Sequence, residues 1–179
     1  MNNDHIRTMI RVGEITTQPN KKKLVFIPDS KFPKEQLRDK RGRIYRFDID
    51  GKVEKIGGSI DAGGILGTIG WYLNGWAKGN NESRYCIWNY LTQVINAGKK
   101  VEIYAVWAPM VDVEVPTMTG YTKVKIPVDY HLIEKSFIDE YVKSEGTYPK
   151  LNMQESGQRW KDTGLLEGLI NKDGSIYGS

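Results

Sequence analysis

The sequence contains a single cysteine, Cys86, so no disulfide can form within the chain. It also lacks any cluster of cysteines and histidines with the spacing of zinc ligands. No apolar run at the N-terminus reaches the length of a signal peptide, and none elsewhere is long enough to span a bilayer. These absences predict a cytoplasmic protein in a reducing compartment, with neither a structural zinc ion nor a membrane partner.

The chain has little excess of either charge. Its 26 Lys and Arg residues stand against 22 Asp and Glu residues, so the formal net charge is only +4. Such a balance is compatible with a nucleic acid partner, whose phosphates attract basic side chains, but many proteins without such a partner share it. Hydrophobic residues make up 39% and charged residues 27% of the 179, which is typical of one globular domain.

Helices are predicted where apolar residues recur at helical spacing, and strands where apolar and polar residues alternate. The predicted helices cover residues 59–70, 83–97 and 130–144, and the predicted strands cover residues 43–49, 52–57, 101–107 and 121–128. Residues 24–27 are predicted as one short strand or an extended arm. The first of these helices is rich in glycine, so we expect it to be short. The tail after Asn152 adds one apolar turn, Leu165 to Ile170, which predicts a small helix or a partner-binding strip.

Asp50-Gly51 marks a β-hairpin. A two-residue loop there would set Phe47 against Glu54, which is an unfavourable pair. A three-residue loop with a glycine bulge gives pairs of opposite charge and of like polarity, namely Asp48 with Lys52, Arg46 with Glu54, Phe47 with Val53 and Ile44 with Ile56. This second register is therefore predicted, and it places Tyr45 directly opposite Lys55.

A tyrosine paired with a lysine on one sheet face can activate water. The charge of Lys55 would lower the pKa of the Tyr45 phenol, and desolvation would lower the pKa of the lysine itself. Together the two groups could orient a water molecule and accept its proton. A lysine whose stem merely passes a core tyrosine remains an equally good reading of the pattern.

Two short runs on this hairpin resemble the signatures of the GIY-YIG nuclease family. Gly42-Arg43-Ile44-Tyr45 resembles the first signature, and Lys55-Ile56-Gly57-Gly58-Ser59 resembles the second at the family's usual separation. The lysine in the second run resembles a restriction-endonuclease subgroup with a KIG signature. The resemblance covers residues 42–152 and implies an α+β fold with a central three-stranded antiparallel sheet flanked by helices, with extensions at 1–41 and 153–179.

The resemblance also implies a metal site. Family members carry one glutamate on a downstream helix that binds a single catalytic cation, and Glu134 matches it in chain order, although a solvated helix residue is the simpler alternative. Mg²⁺ (or Mn²⁺) accepts one carboxylate because it keeps several waters. Asn152, in Tyr148-Pro149-Lys150-Leu151-Asn152, resembles the family's closing element, and it would hold a phosphate, order the hairpin or act only as a turn residue.

One departure from the family concerns an arginine on the helix after the second signature, because residues 61–71 contain no basic side chain. Arg84 or Lys78 is the candidate substitute, and Tyr72 is the nearest match to a further family tyrosine. The remaining candidates for contact with phosphate are Gly57, Ser59, Arg41 and Arg43. The last two belong to the charged stretch 31–43, which is either a solvated linker or a phosphate-contacting arm.

Together these features predict a divalent-metal-dependent endonuclease that cuts double-stranded DNA. A type II restriction endonuclease acting as a homodimer or higher homo-oligomer is the first expectation, since one metal site cuts one strand. A phage enzyme that degrades host DNA is the close alternative. The alternatives from other classes are a catalytically inactive GIY-YIG module that only binds nucleic acid and a phage structural protein.

Overall fold

The computed structural model describes residues 9–18, 23–74 and 82–167. The strands are β1 (Ile10–Thr17), β2 (Leu24–Pro28), β3 (Arg43–Ile49), β4 (Lys52–Ser59), β5 (Val101–Trp107), β6 (Met110–Thr117) and β7 (Gly120–Pro127). The helices are α1 (Gly64–Leu73), α2 (Glu82–Asn96), α3 (Tyr130–Glu145) and the short α4 (Met153–Ser156). In the part of the chain described, no helix has the length and apolar character needed to cross a membrane.

The main sheet has five antiparallel strands in the order β2-β1-β5-β3-β4. The predicted α+β class and the three adjacent strands β5, β3 and β4 are confirmed. The expected count of three is too low, because β1 and β2 of the N-terminal segment extend the sheet beyond β5. Sequence periodicity missed β1 because a bulge between Arg11 and Gly13 interrupts its alternation.

The hairpin register differs from the prediction. The loop has two residues, Asp50 and Gly51, whose φ angles of 50° and 81° are those of a type I′ turn. A bulge at Glu54 then shifts the register, so that Lys55 pairs with Phe47 and Tyr45 pairs with Gly57. The predicted pairing of Tyr45 with Lys55 is therefore wrong, although the bulge still places both residues on one face of the sheet.

Contacts outside the hairpin hold this register. Asp50 exchanges two hydrogen bonds with Lys100, one from its backbone N–H at 3.0 Å and one to its side chain at 2.9 Å. Arg46 does not form the cross-strand charge pair with Glu54 that favoured the other register. It forms an ion pair with Asp48, two residues along the same strand, and its Nη2 donates a hydrogen bond to Oδ2 of Asp48 at 2.9 Å. The turn is thus fixed by its docking against the start of β5.

Helices cover both faces of the sheet. Tyr45, Phe47, Ile65, Ile69 and Leu91 belong to the core between the sheet and helices α1 and α2. A second, smaller core on the opposite face joins α3 to the sheet through Ile44, Ile56, Ile138 and Tyr141. Strand β4 lies at the edge of the sheet between these two layers, so groups from both faces can meet there.

Strands β6 and β7 form a separate two-stranded ribbon. The sequence predicted only weak strand character in this region, and the ribbon is longer than expected, with eight residues in each strand. None of its residues is buried. The ribbon leaves the main sheet after Trp107 and returns the chain to the start of α3.

Candidate active site

Two glycines of β4 bring a tyrosine and a glutamate to one point of the sheet edge. A Cβ atom at Gly57 would overlap the phenol of Tyr45, and a Cβ atom at Gly58 would overlap the carboxylate of Glu134. The two side chains come from opposite faces, since Tyr45 packs with α1 and Glu134 lies on α3. The adjacent glycines therefore have a steric function that any larger residue would abolish.

Tyr45 is hydrogen bonded through its hydroxyl to the hydroxyl of Tyr72 on α1, and both side chains are buried. Burial raises the pKa of Tyr45 well above its ordinary value and raises the pKa of Tyr72 to about 12. The predicted lowering of the Tyr45 pKa by a lysine is therefore wrong. Both phenols stay protonated at neutral pH, so the pair can donate a hydrogen bond to a water molecule but is a poor proton acceptor.

Lys55 is half-buried opposite Phe47 and lines a cleft together with Tyr72. Burial lowers the pKa of Lys55, while the charges of Glu155 and Glu134 act in the opposite direction. The predicted direction for the lysine is confirmed. Its neutral amine is more accessible at moderate pH than that of an exposed lysine, so Lys55 is the better proton acceptor of this group.

Glu134 lies on α3 with its side chain 21% exposed. Its Oε1 accepts a hydrogen bond from the Gly58 N–H at 2.6 Å, and its Oε2 is 3.8 Å from Nδ1 of His131. Burial raises the pKa of Glu134, whereas the Gly58 N–H and the charge of Lys55 lower it. Glu134 and Glu155 both line a cavity of about 360 Å³.

The donor set is compatible with a hard divalent cation that takes one protein ligand. Within the described ranges, no three residues of the types His, Cys, Asp and Glu are grouped as metal ligands. A site built from three or four side chains is therefore not present there. Mg²⁺ commonly keeps several waters and takes its other ligands from one or two carboxylates and a substrate phosphate, and Glu134 fits that role.

Glu155, on α4, was missed by the sequence reading because it lies beyond the closing element, in the segment assigned as an extension. It lines the cavity that contains Glu134 and also the one that contains Lys55. Its charge acts on Tyr45 and Tyr72 as well. A negative charge shared by both cavities was not signalled by any motif, since only the fold brings α4 next to β4.

Asn152 is buried and bonded entirely to the hairpin. Its Oδ1 accepts from the Ile56 N–H at 2.9 Å, and its Nδ2 donates to the Ile56 carbonyl at 2.8 Å. The neighbouring Leu151 N–H donates to the carbonyl of Glu54 at 2.8 Å. Of the three predicted roles, these bonds favour the ordering of the hairpin, because the buried side chain of Asn152 bonds to the backbone of β4 through both its oxygen and its nitrogen.

The predicted phosphate contacts occupy different environments. Arg43 is fully buried, and it bonds to the carbonyls of Arg41 and Asp61 and to Thr68, so it braces the first signature against α1 rather than facing a ligand. Arg41 is paired with Asp39 at the surface. Ser59 shares a hydrogen bond of 2.8 Å with Thr68.

Arg84 contacts the aromatic part of the site. Its guanidinium lies over the ring of Trp71, 5.3 Å from the centroid, and Trp71 packs edge-on against Tyr72. Trp71 therefore lies between the positive charge of Arg84 and the Tyr45–Tyr72 pair. Lys78, the other candidate for the missing arginine, lies outside the described residues, as does Trp76.

The fold resembles that of a solved nuclease. A mutant form of bacteriophage T4 EndoII matches with a TM-score of 0.51 and 16% identity, covering 83% of this chain and 93% of that one. A restriction endonuclease, HPY188I, in complex with product DNA matches with a TM-score of 0.45 and 19% identity, covering 82% of this chain and 80% of that one. No protein-family model and no curated protein matches the chain. The chain shares the overall fold of EndoII.

Proposed function

We propose that this protein is a divalent-metal-dependent DNA endonuclease. The observation that carries the proposal is the convergence of Tyr45, Tyr72, Lys55 and Glu134 around the two glycines of β4. Hydrogen-bond donors for water, a lysine with a lowered pKa and a carboxylate suited to a hard cation are the groups that phosphodiester hydrolysis requires. The fold shared with a phage endonuclease supports the same class of reaction.

The residues divide the work as follows. The hydroxyls of Tyr45 and Tyr72 hold the attacking water, and the neutral amine of Lys55 accepts its proton as the bond from the water oxygen to phosphorus forms and the bond from phosphorus to the leaving oxygen breaks. Glu134 would hold Mg²⁺ (or Mn²⁺), which supplies Lewis acidity at the phosphate and the leaving oxygen. Arg84 is the candidate for neutralising the phosphate, taking the role of the arginine that α1 lacks.

The direct test is a plasmid assay. Purified protein incubated with supercoiled plasmid and Mg²⁺ is expected to produce nicked and then linear DNA, and EDTA is expected to stop the reaction, because one carboxylate cannot stabilise the transition state alone. Discrete fragments from a long DNA would indicate a type II restriction endonuclease. A smear would indicate an enzyme that degrades host DNA.

The rival is an inactive module that only binds nucleic acid, and one observation favours it. Helix α1 presents no basic residue near Tyr45, so the phosphate clamp of the family is absent from its usual position. This rival predicts salt-sensitive binding to DNA without cutting in any divalent cation. Retention of supercoiled plasmid with both Mg²⁺ and Mn²⁺, at protein concentrations that saturate binding, would establish it.

The proposed enzyme acts as a homo-oligomer, and the β6–β7 ribbon is the surface that supports this. One face of the ribbon pairs Val111 with Ile126 and Val113 with Val124, and none of these four residues is buried. A two-stranded ribbon is only marginally stable alone in water, so such a face needs a partner. The other face pairs acidic with basic residues, which leaves no net charge to attract phosphates.

A second copy of the chain is the occupant that suits this ribbon. An identical apolar face brought up by a two-fold axis covers both ribbons at once, and it supplies the second metal site that cutting both strands requires. Replacement of Val113 with aspartate is expected to convert the oligomer to monomers in light-scattering measurements. Tyr121→Asp, on the charged face, is the matched control, and equal masses for the two variants would refute this interface.

A further inference from the structure

A second cavity, of about 150 Å³, opens beside the proposed hydrolytic groups and shares Lys55 and Tyr72 with them. Its lining includes the rings of Trp71 and Trp160 together with smaller buried apolar side chains, Ile87, Leu151 and Met153. The indole N–H of Trp160 already donates to the Ser83 hydroxyl at 2.7 Å. Trp160 therefore offers only ring surface to whatever enters.

The mouth of this cavity is polar. Gln154 and Glu155, two exposed residues of α4, stand at its rim next to Lys55. An amide offers both a donor and an acceptor, and a carboxylate offers acceptors. One basic and one acidic side chain, Lys55 and Glu155, thus stand with an amide at this mouth, which suits an uncharged ligand that both donates and accepts hydrogen bonds.

The size and lining favour a small flat heterocycle. The volume is well below the roughly 300–1,000 Å³ typical of sites for drug-sized ligands, and it is too small for a base pair. Aromatic and apolar walls with hydrogen-bonding groups at one edge are the features that hold a nucleobase taken out of a duplex. The shared residues Lys55 and Tyr72 place this base within about one nucleotide of the phosphate that is cut.

We propose that this cavity, walled by Trp71 and Trp160 and rimmed by Gln154, receives one unpaired base of the DNA strand adjacent to the scissile phosphate. The inference rests on the proposed endonuclease function and adds that the enzyme binds its DNA substrate with one base unpaired. Unpairing a base costs free energy, and the cost is smallest where the base is already mismatched. Enzymes that use such a pocket therefore bind mismatched duplexes more tightly than paired ones.

The test compares two duplexes of equal length, one fully paired and one with a single central mismatch, by fluorescence anisotropy. The protein carries Glu134→Gln and the buffer contains EDTA, so that bound DNA is not cut. We expect at least about tenfold tighter binding of the mismatched duplex. Adding Gln154→Trp, which fills the mouth from an exposed position, is expected to remove this preference. Gln158→Trp, exposed on the same segment but outside the cavity, is expected to keep it.

The outcomes separate the two ideas. Equal affinity for both duplexes, or a mismatch preference that survives Gln154→Trp, overturns the base pocket and leaves the endonuclease proposal in place. Absence of binding to either duplex overturns both. Thermal melting of the two tryptophan variants checks that each is folded, and an exposed position at the rim makes the loss of fold an unexpected result.

Discussion

Replacement of Glu134 with glutamine is expected to slow DNA cleavage about a thousand-fold, equivalent to roughly 4 kcal/mol of transition-state stabilisation. Glutamine keeps an oxygen that can accept the Gly58 N–H, so the contact between α3 and β4 survives. It loses the negative charge that would hold the cation beside the phosphate. Initial rates of plasmid nicking at saturating Mg²⁺ measure the effect.

The matched control is Glu140→Gln, a change of the same charge on the exposed surface of the same helix. It is expected to leave both the rate and the melting temperature unchanged. Affinity for DNA, measured in the absence of divalent cation, should be the same or slightly higher for Glu134→Gln, because a negative charge near the phosphate is removed. Nicking by Glu134→Gln at the parent rate would contradict the assignment of Glu134 as the metal ligand.

The elements of the site that could be predicted from sequence are those set by local patterns. Asp50-Gly51 located the hairpin, and helical periodicity together with family order pointed to Glu134, which the structure places against Gly58. These features depend on residues close to one another in the chain. The alternation of Val101–Trp107 likewise predicted a strand, and the resemblance to the nuclease family implied that it joins the hairpin in one sheet, where it pairs with β3.

The register of the hairpin could not be predicted, because it is fixed by distant groups. Asn152 holds the backbone of Ile56 from 96 residues away, and Lys100 holds the turn at Asp50. Each bond involves a backbone group whose partner no local pairing rule can identify. Cross-strand pair preferences contribute only about 0.2–1 kcal/mol each, so two or three buried hydrogen bonds are enough to outweigh them.

The surroundings of individual charged side chains could not be predicted from the sequence either. Arg43 lies in a charged stretch that suggests exposure, yet it is fully buried and bonds to two groups on other segments, the Asp61 carbonyl and the Thr68 hydroxyl. Glu155 reads as a tail residue, yet it faces both cavities of the site. In both cases the chemistry of the side chain was evident and its environment was not, because the environment is supplied by elements that approach only in the folded chain.

Replacement of Lys55 with methionine is expected to reduce cleavage about a hundred-fold and to flatten its dependence on pH. Burial lowers the pKa of Lys55, so the neutral amine becomes populated as pH rises through that lowered value. If the amine accepts the proton of the attacking water, the rate of the parent rises over this range and levels off above it. Methionine has a similar length but cannot accept a proton, so this limb of the profile should disappear.

Lys55→Met is expected to be more stable than the parent although it is less active. A lysine whose pKa is lowered by folding binds fewer protons in the folded chain than in the unfolded chain, so stability of the parent rises with pH between the two pKa values. Below that range Lys55 is protonated, and burial of its charge lowers the free energy of unfolding. Lys55→Met removes this charge, so the variant is expected to be more stable than the parent at neutral pH in urea denaturation and to lack this slope.

Lys52→Met, at an exposed lysine of the same strand, distinguishes the role of Lys55 from a general effect of losing a positive charge near DNA. We expect this control to keep the rate, the pH profile and the stability of the parent. A hundred-fold loss in both variants would mean that β4 lysines act through DNA attraction alone. A parent-like pH profile in Lys55→Met would instead leave proton acceptance to another group, since the raised pKa of Tyr45 excludes the phenol from that role at neutral pH.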